Sequence, residues 1–198
     1  TMGAMQNLGS SSFVVPQSLG RTVGNNLFHS FSAFNVNTGQ SAVFTGDNHI
    51  QNVITRVTGG QRSTIDGLLQ SQVGQADFYF INPAGVTFGG GASLDVPAAF
   101  HVSTADKMTL GKEGVFYADL SKDSQLSSEP PSAFGFLASS SATNSGLIDI
   151  DHAKLALQDG KVFDAVARAI TIEGNGTTDA ANVKTTTGQA RFVALKGA

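Results

Sequence analysis

Short runs in which apolar and polar positions alternate with period two recur from one end of the chain to the other, while helix-period stretches are almost absent. The clearest runs are Leu147-Ile148-Asp149-Ile150, Lys154-Leu155-Ala156-Leu157, Ala169-Ile170-Thr171-Ile172 and Arg191-Phe192-Val193-Ala194-Leu195. Between them lie turn formers such as Gln158-Asp159-Gly160 and Glu173-Gly174-Asn175-Gly176, which permit positive φ at little cost. The pattern predicts an all-β chain that bends every several residues.

Two architectures contain many short strands at such spacing: antiparallel sandwiches or barrels, and solenoids in which each coil stacks on the one before. Hairpins favour tight two-residue turns between strands of about 5–6 residues. The runs here are shorter and seldom separated that way, so a parallel β-helix is the better fit, with a β-sandwich as the competing architecture. Its coils stack at about 4.8 Å, lining up inward Val, Ile, Leu, Phe and Ala in columns. Ala156 and Ala194 are expected to point inward. The nearly continuous apolar run Ala76-Asp77-Phe78-Tyr79-Phe80-Ile81 implies a strand covered on both faces. The polar, proline-terminated stretch from Asp119 to Pro131 reads as an excursion from the solenoid. A helix is expected, if anywhere, only over Ser63 to Gln72.

Composition narrows the function. Of 198 residues, 40% are hydrophobic, 14% are charged and 23 are glycine, which suits a long core with frequent turns and argues against disorder. No hinge between two cores is visible, so 6–198 reads as one domain, with Thr1–Met5 taken as the remnant of a vector and protease site. A net charge of -3 without a basic block offers no counterion-release affinity for nucleic acid and no attraction to anionic membrane surfaces. The absence of cysteine removes disulfides, thiolate metal sites and thiol nucleophiles together. The stretch from Ser10 to Val23 is expected to cap the amino end, since open β-helix ends expose strand edges. Arg191 to Leu195 would continue into further coils, so the chain reads as the amino-terminal fragment of a longer protein.

Candidate chemistry is sparse. His29, His49, His101 and His152 show no metal-like pairing at short spacing, and His29 is expected to be a hydrogen-bonded structural histidine. No metal or cofactor is expected. Asp149 and Asp151 project from one face of a strand, about 6.5 Å apart, a separation some glycosidase carboxylates share. Solvated surface aspartates are the commoner occurrence, and no nucleophile, base and orienter stand together as a set. Gly89-Gly90-Gly91 lacks the following Lys-Ser/Thr of a phosphate loop and reads as a turn. Asn175-Gly176-Thr177 is formally a glycan acceptor sequon.

A resemblance adds to this. Asn26-Leu27-Phe28-His29-Ser30-Phe31, Phe34-Asn35-Val36, Asn52-Val53-Ile54-Thr55-Arg56-Val57-Thr58-Gly59-Gly60 and Ser63-Thr64-Ile65-Asp66-Gly67 follow one another as in the two-partner-secretion domain of filamentous haemagglutinin-like exoproteins. Ala76 through Asn82-Pro83-Ala84-Gly85-Val86-Thr87-Phe88-Gly89 resembles that family's Asn-Pro-Asn-Gly-Ile motif in its setting, and Phe100 to Asp106 and Ala133 to Leu137 extend the match. Ala84 stands where the family usually has a second Asn, and no Asn-Pro-Asn-Leu occurs. The resemblance implies a right-handed β-helix with an amino cap and small extra-helical β elements. It implies export by the Sec machinery and recognition in the periplasm by a TpsB-type outer-membrane transporter with a barrel and POTRA domains. The destination it implies is outside, or on the surface of, a Gram-negative bacterium.

The residues expected to carry the motif are Asn26, Leu27, Phe28, His29, Phe31, Asn52, Arg56, Asp66, Gly67, Asn82, Pro83 and Gly85. Read physically, Asn82-Pro83-Ala84-Gly85 has the makings of a β-turn, and shaping a turn and contacting the transporter remain open and compatible roles. Phe28 and Phe34 are spaced for burial. A cysteine-free solenoid also suits passage through a narrow barrel, because coils that fold outside would oppose backsliding. Two other readings stay open: an adhesive surface binding host or matrix glycan or protein, and a β-helix enzyme that cleaves polysaccharide.

Overall fold

A computed structural model describes residues 12–137, 146–174 and 182–195, and the fold among them is a parallel β-solenoid of about six coils. Thr1–Met5 and the Asn175-Gly176-Thr177 sequon lie outside the described residues.

The first coil holds β1 (Phe13–Pro16), a single 3-10 turn (Gln17–Leu19), β2 (Arg21–Val23) and β3 (Asn26–Phe31). The second holds β4 (Ser41–Thr45), β5 (Asn52–Val57) and β6 (Ser63–Ile65), and the third β7 (Leu68–Gln72), β8 (Asp77–Ile81) and β9 (Val86–Phe88). The fourth begins with β10 (Ser93–Asp95) and β11 (Phe100–Ser103), leaves the solenoid through β12 (Lys107–Leu110), β13 (Gly114–Tyr117) and β14 (Pro131–Gly135), and returns in β15 (Leu147–Asp151). β16 (Lys154–Ala156), β17 (Val162–Ala167) and β18 (Ala169–Glu173) make the fifth coil, and β19 (Asn182–Lys184) and β20 (Gln189–Ala194) open the sixth.

Strands at the same station pair in parallel. The long sheet runs β2-β3-β5-β8-β11-β17-β20, flanked by β1-β4-β7-β10 with β16-β19 and by β6-β9-β15-β18. Phe28 pairs with Ile54, Ile54 with Tyr79 and Tyr79 with His101, so one coil takes 26, 25 and then 22 residues. Within each strand alternate residues face inward, and the large inward residues stack along the axis: the rings of Phe78, Phe100 and Phe163 follow one another at 5.9 Å per step. Phe44, Phe80 and Phe88 join the same buried core. Phe192 continues it at 5.8 Å from Phe163, on the last coil, where it is 40% exposed. Ala194 sits on the same inward face of β20, opposite the buried Ala167, but is exposed because no described coil covers it.

Two expectations are corrected. Ser63 to Gln72 is not helical but two strands, β6 and β7, joined at Asp66-Gly67. Ile65 and Leu69 are both buried, and the corner between them shifts the phase of alternation so that the spacing imitates a helical face. Ala156 points outward, and its neighbour Leu155 fills the core instead.

The excursion, expected over Asp119 to Pro131, starts earlier: β12, β13 and β14 (107–135) form a three-stranded antiparallel sheet, β13-β12-β14, over the outer face of the long sheet, and Asp119 to Pro131 is mainly the connection between β13 and β14. Met108, Leu110 and Phe116 from this sheet, with Ala118 just beyond β13, close a second apolar core against Phe28, Ile54 and Ile81. Here is the cover that the unbroken apolar run of β8 requires. The amino end is capped as expected over part of its predicted length: β2 pairs antiparallel with β3 and occupies the leading edge of the long sheet, whereas Phe13–Pro16 is already a strand of the solenoid.

Candidate functional site

Most of the motif residues converge on the outer face and corners of the first three coils. In β3 the side chains alternate, Leu27, His29 and Phe31 inward and Asn26, Phe28 and Ser30 outward. The first four residues of that strand are nonetheless all buried, because the excursion sheet covers the outer side. Phe28 packs on Phe116 with ring centroids 5.1 Å apart. Asn26 donates through Nδ2 to the carbonyls of Ser127 at 2.9 Å and Glu129 at 2.7 Å, and its Oδ1 accepts from Asn52 Nδ2 at 2.8 Å. Two asparagines on adjacent coils thus bridge the solenoid to a segment about a hundred residues away.

Arg56 works in the same way one strand further on. It is 6% exposed, donates from Nε to Ser30 Oγ at 2.9 Å and from Nη1 to the Tyr117 carbonyl and to Ser124 Oγ, and lies 4.3 Å above the Phe116 ring. Burial pushes its pKa down to about 10, which still leaves it cationic at neutral pH. Among the described residues no carboxylate pairs with it.

His29 corrects an expectation. It is 1% exposed inside the first coil, between the rings of Phe44 at 5.5 Å and Phe31 at 6.1 Å, and its Nε2 has no hydrogen-bond partner. Burial lowers its pKa to about 4, so the ring is neutral at pH 7 and serves as a core aromatic. Phe31 packs against Phe34 at 4.9 Å, and Phe34 is buried as expected.

The remaining motif residues shape corners. The Asn82 carbonyl accepts from Gly85 N at 3.0 Å, closing a β-turn over Pro83 and Ala84, and Asn82 Oδ1 accepts from Ala84 N at 3.0 Å. Asn82 Nδ2 reaches the previous coil, donating to the Gln61 carbonyl and Ser63 Oγ, both at 3.0 Å. Gly85 has φ +114, and a Cβ there would lie 2.8 Å from the Leu147 carbonyl. Ala84 keeps a negative φ, so alanine suffices at that place. At the other corner Asp66 accepts from Thr38 Oγ1 in the first coil and from Gly91 N at 2.8 Å in the third. Gly67 leaves no room for a Cβ, which would meet the Gln40 carbonyl at 2.4 Å, and Gly89 is equally tight against Asp66 Oδ1 at 2.5 Å. The triple glycine is therefore a turn, as read, with a specific close approach behind it.

One constellation escaped the sequence reading. Tyr79, His101, Asp164 and Arg191 occupy one outward row across four coils. Tyr79 and His101 stack at 4.4 Å, His101 Nδ1 lies 3.3 Å from Asp164 Oδ2, and Arg191 Nη2 donates to the same oxygen at 3.1 Å. Burial works to raise the Asp164 pKa, but the hydrogen bond from His101 and the charge of Arg191 outweigh it and hold the carboxyl below its usual range. Burial, with the charges of Asp77 and Asp164, raises the Tyr79 hydroxyl well above its ordinary value. Only the coil period aligns these four, so no local spacing could reveal them. Asp149 and Asp151 have other partners: Asp149 accepts from Thr171 Oγ1 on the next coil at 2.5 Å, and Asp151 contacts its neighbour His152. No group of three or more metal-ligating side chains occurs among the described residues.

Among the described residues the motif side chains stitch neighbouring coils of a β-solenoid together, and the excursion roofs the outer face of its first coils. The chain matches the TPS secretion domain family over residues 3–198 and belongs to it. It is the secretion domain of a two-partner-secretion exoprotein, a transport module and not a catalytic one, with a TpsB outer-membrane transporter as its partner and Gram-negative bacteria as its setting. No curated protein matches the chain.

Proposed function

We propose that this domain reaches the periplasm through the Sec machinery, is recognised there by the POTRA domains of its TpsB-type transporter, and nucleates folding of the exoprotein β-helix at the cell surface. The observation that supports nucleation is the register: in the long sheet β5 pairs only with β3 and β8, and β8 only with β5 and β11. Each coil thus needs little beyond its predecessor as a template, and the entropy of ordering is met one coil at a time. Every coil completed outside buries inward residues such as Phe44, Phe78 and Phe100 and opposes return of the chain.

The test is secretion rate. Leu27→Ala removes a fully buried side chain of the first coil, at about 2–5 kcal/mol. Export of that variant should slow, while an exposed-site change such as Lys184→Ala should leave it unaltered. Export of Leu27→Ala at the wild-type rate would show that folding does not drive the process.

A further inference from the structure

We propose that the cavity between β2, β5 and the β13–β14 connection is a binding site for a tetrahedral oxyanion, phosphate or sulfate, free or as the monoester of a small organic molecule. The cavity holds about 240 Å³ and is lined by three cations, Arg21, Arg56 and Lys122, against one carboxylate, Asp123. Three positive charges less one negative leave an excess of two at pH 7, on a chain whose net charge is -3. Arg21 and Lys122 are exposed at the mouth, and Arg56 is buried at the floor. Charge of one sign is thus gathered where the rest of the chain would not place it, which favours an anion from solution.

The floor shows what is missing. A guanidinium that is 6% exposed and lacks a counterion is costly to hold. The bonds of Arg56 leave from Nε and Nη1 and reach only neutral oxygens, of Ser30, Tyr117 and Ser124, while Nη2 has no acceptor among the described residues. Nor is Nη2 sealed off: among the described residues His29 Nε2 alone is a fully buried polar side-chain atom without a partner, so Nη2 still meets solvent. No salt bridge joins Arg21 or Lys122 to a carboxylate among the described residues either. Asp119, whose carboxyl feels the charge of Lys122, accepts from Ser121 and does not line the cavity. An oxyanion in the cavity would accept from Nη2 in a charge-assisted hydrogen bond and face two further cations. The Phe116 ring, 4.3 Å from the guanidinium carbon, holds the fork in place, and Leu120, 60% exposed, offers apolar contact to an organic carrier. The lining comes from the amino cap, the second coil and the excursion, so the site is complete only in the folded domain. It neither needs nor tests the transporter reading.

The experiment titrates the folded full chain with sodium phosphate, sodium sulfate and glucose 6-phosphate, each against sodium chloride at matched ionic strength. The Arg56 Nε–H resonance should shift saturably, and the urea midpoint should rise with the same ligand dependence, since a ligand of the folded state stabilises it. Tighter binding of glucose 6-phosphate than of inorganic phosphate assigns the site to an ester, and equal binding assigns it to the free ion. Arg21→Gln combined with Lys122→Gln should weaken binding about 10-fold while leaving the ligand-free urea midpoint near that of wild type, because both side chains are exposed. Asp123→Asn, which removes the carboxylate from the lining, should tighten binding about 3-fold, an effect that a purely structural Arg56 would not produce. Responses no larger than those to chloride, or unchanged in the Arg21→Gln, Lys122→Gln chain, would overturn the proposal and leave Arg56 as a structural cation over Phe116.

Discussion

Lowering the pH from 7 to about 4 should remove stability through a single buried ring. His29 has its pKa pushed from 6.5 to about 4 by burial, and its Nε2 has no partner that could hold a proton in place. Above pH 6.5 the ring is neutral in both folded and unfolded chains, and this group imposes no penalty. Between 6.5 and about 4 the unfolded chain binds a proton that the folded chain refuses, so stability falls by up to about 1.4 kcal/mol per pH unit. The accumulated loss is about 3 kcal/mol by pH 4, below which both states are protonated and the loss levels off. Against a total of about 5–15 kcal/mol for a domain, that is a large share. Urea unfolding of wild type and His29→Leu at pH 7, 5.5 and 4.5 isolates the effect, because groups common to both proteins cancel in the difference. The variant should lose about 2.4 kcal/mol less between pH 7 and 4.5. At pH 7 it should be at least as stable as wild type, since an unsatisfied buried nitrogen is replaced by an apolar group of similar size. Stability curves that run parallel from pH 7 to 4.5 would refute the reasoning and place a hydrogen-bond partner or water at Nε2.

Three further changes probe the fold. Asn26→Ala should cost about 1–3 kcal/mol and speed amide exchange in β12–β14 more than in β8, because the Ser127 and Glu129 carbonyls lose their donor. Gly85→Val should destabilise by about 1–3 kcal/mol in thermal or urea unfolding, since φ +114 and the Leu147 carbonyl both oppose a side chain there; equal stability would mean that the turn is free to relax. Phe100→Ala opens a gap between Phe78 and Phe163 and should cost about 3–5 kcal/mol, measured by the urea midpoint.

Much of the architecture was legible because its causes are local. Two-residue alternation, short runs and Asn, Asp and Gly between them fix where strands begin, end and turn, and the unbroken apolar run of β8 already required a second covering layer. The turn at Asn82-Pro83-Ala84-Gly85 was readable for the same reason, since its bonds join residues two and three apart. The misreadings lie where local rules are ambiguous. A corner at Asp66-Gly67 shifts the alternation of Ile65 and Leu69 into a helix-like spacing, and Ala156 could be assigned a side only once its register with Lys184 was known. His29 looked like a bonding residue because sequence carries no measure of solvent or partners.

What the sequence alone determined is the strand-and-turn character of the chain and the motif that identifies its family, because backbone preference and side-chain alternation act between neighbours in the chain. Only the tertiary structure decided that Asn26 and Arg56 would reach a segment 60 to 100 residues away, that the motif face would be roofed, and that Tyr79, His101, Asp164 and Arg191 would share one row. Those contacts depend on coil length and on the path of the excursion, quantities set by the sum of every turn between the partners and by no one of them.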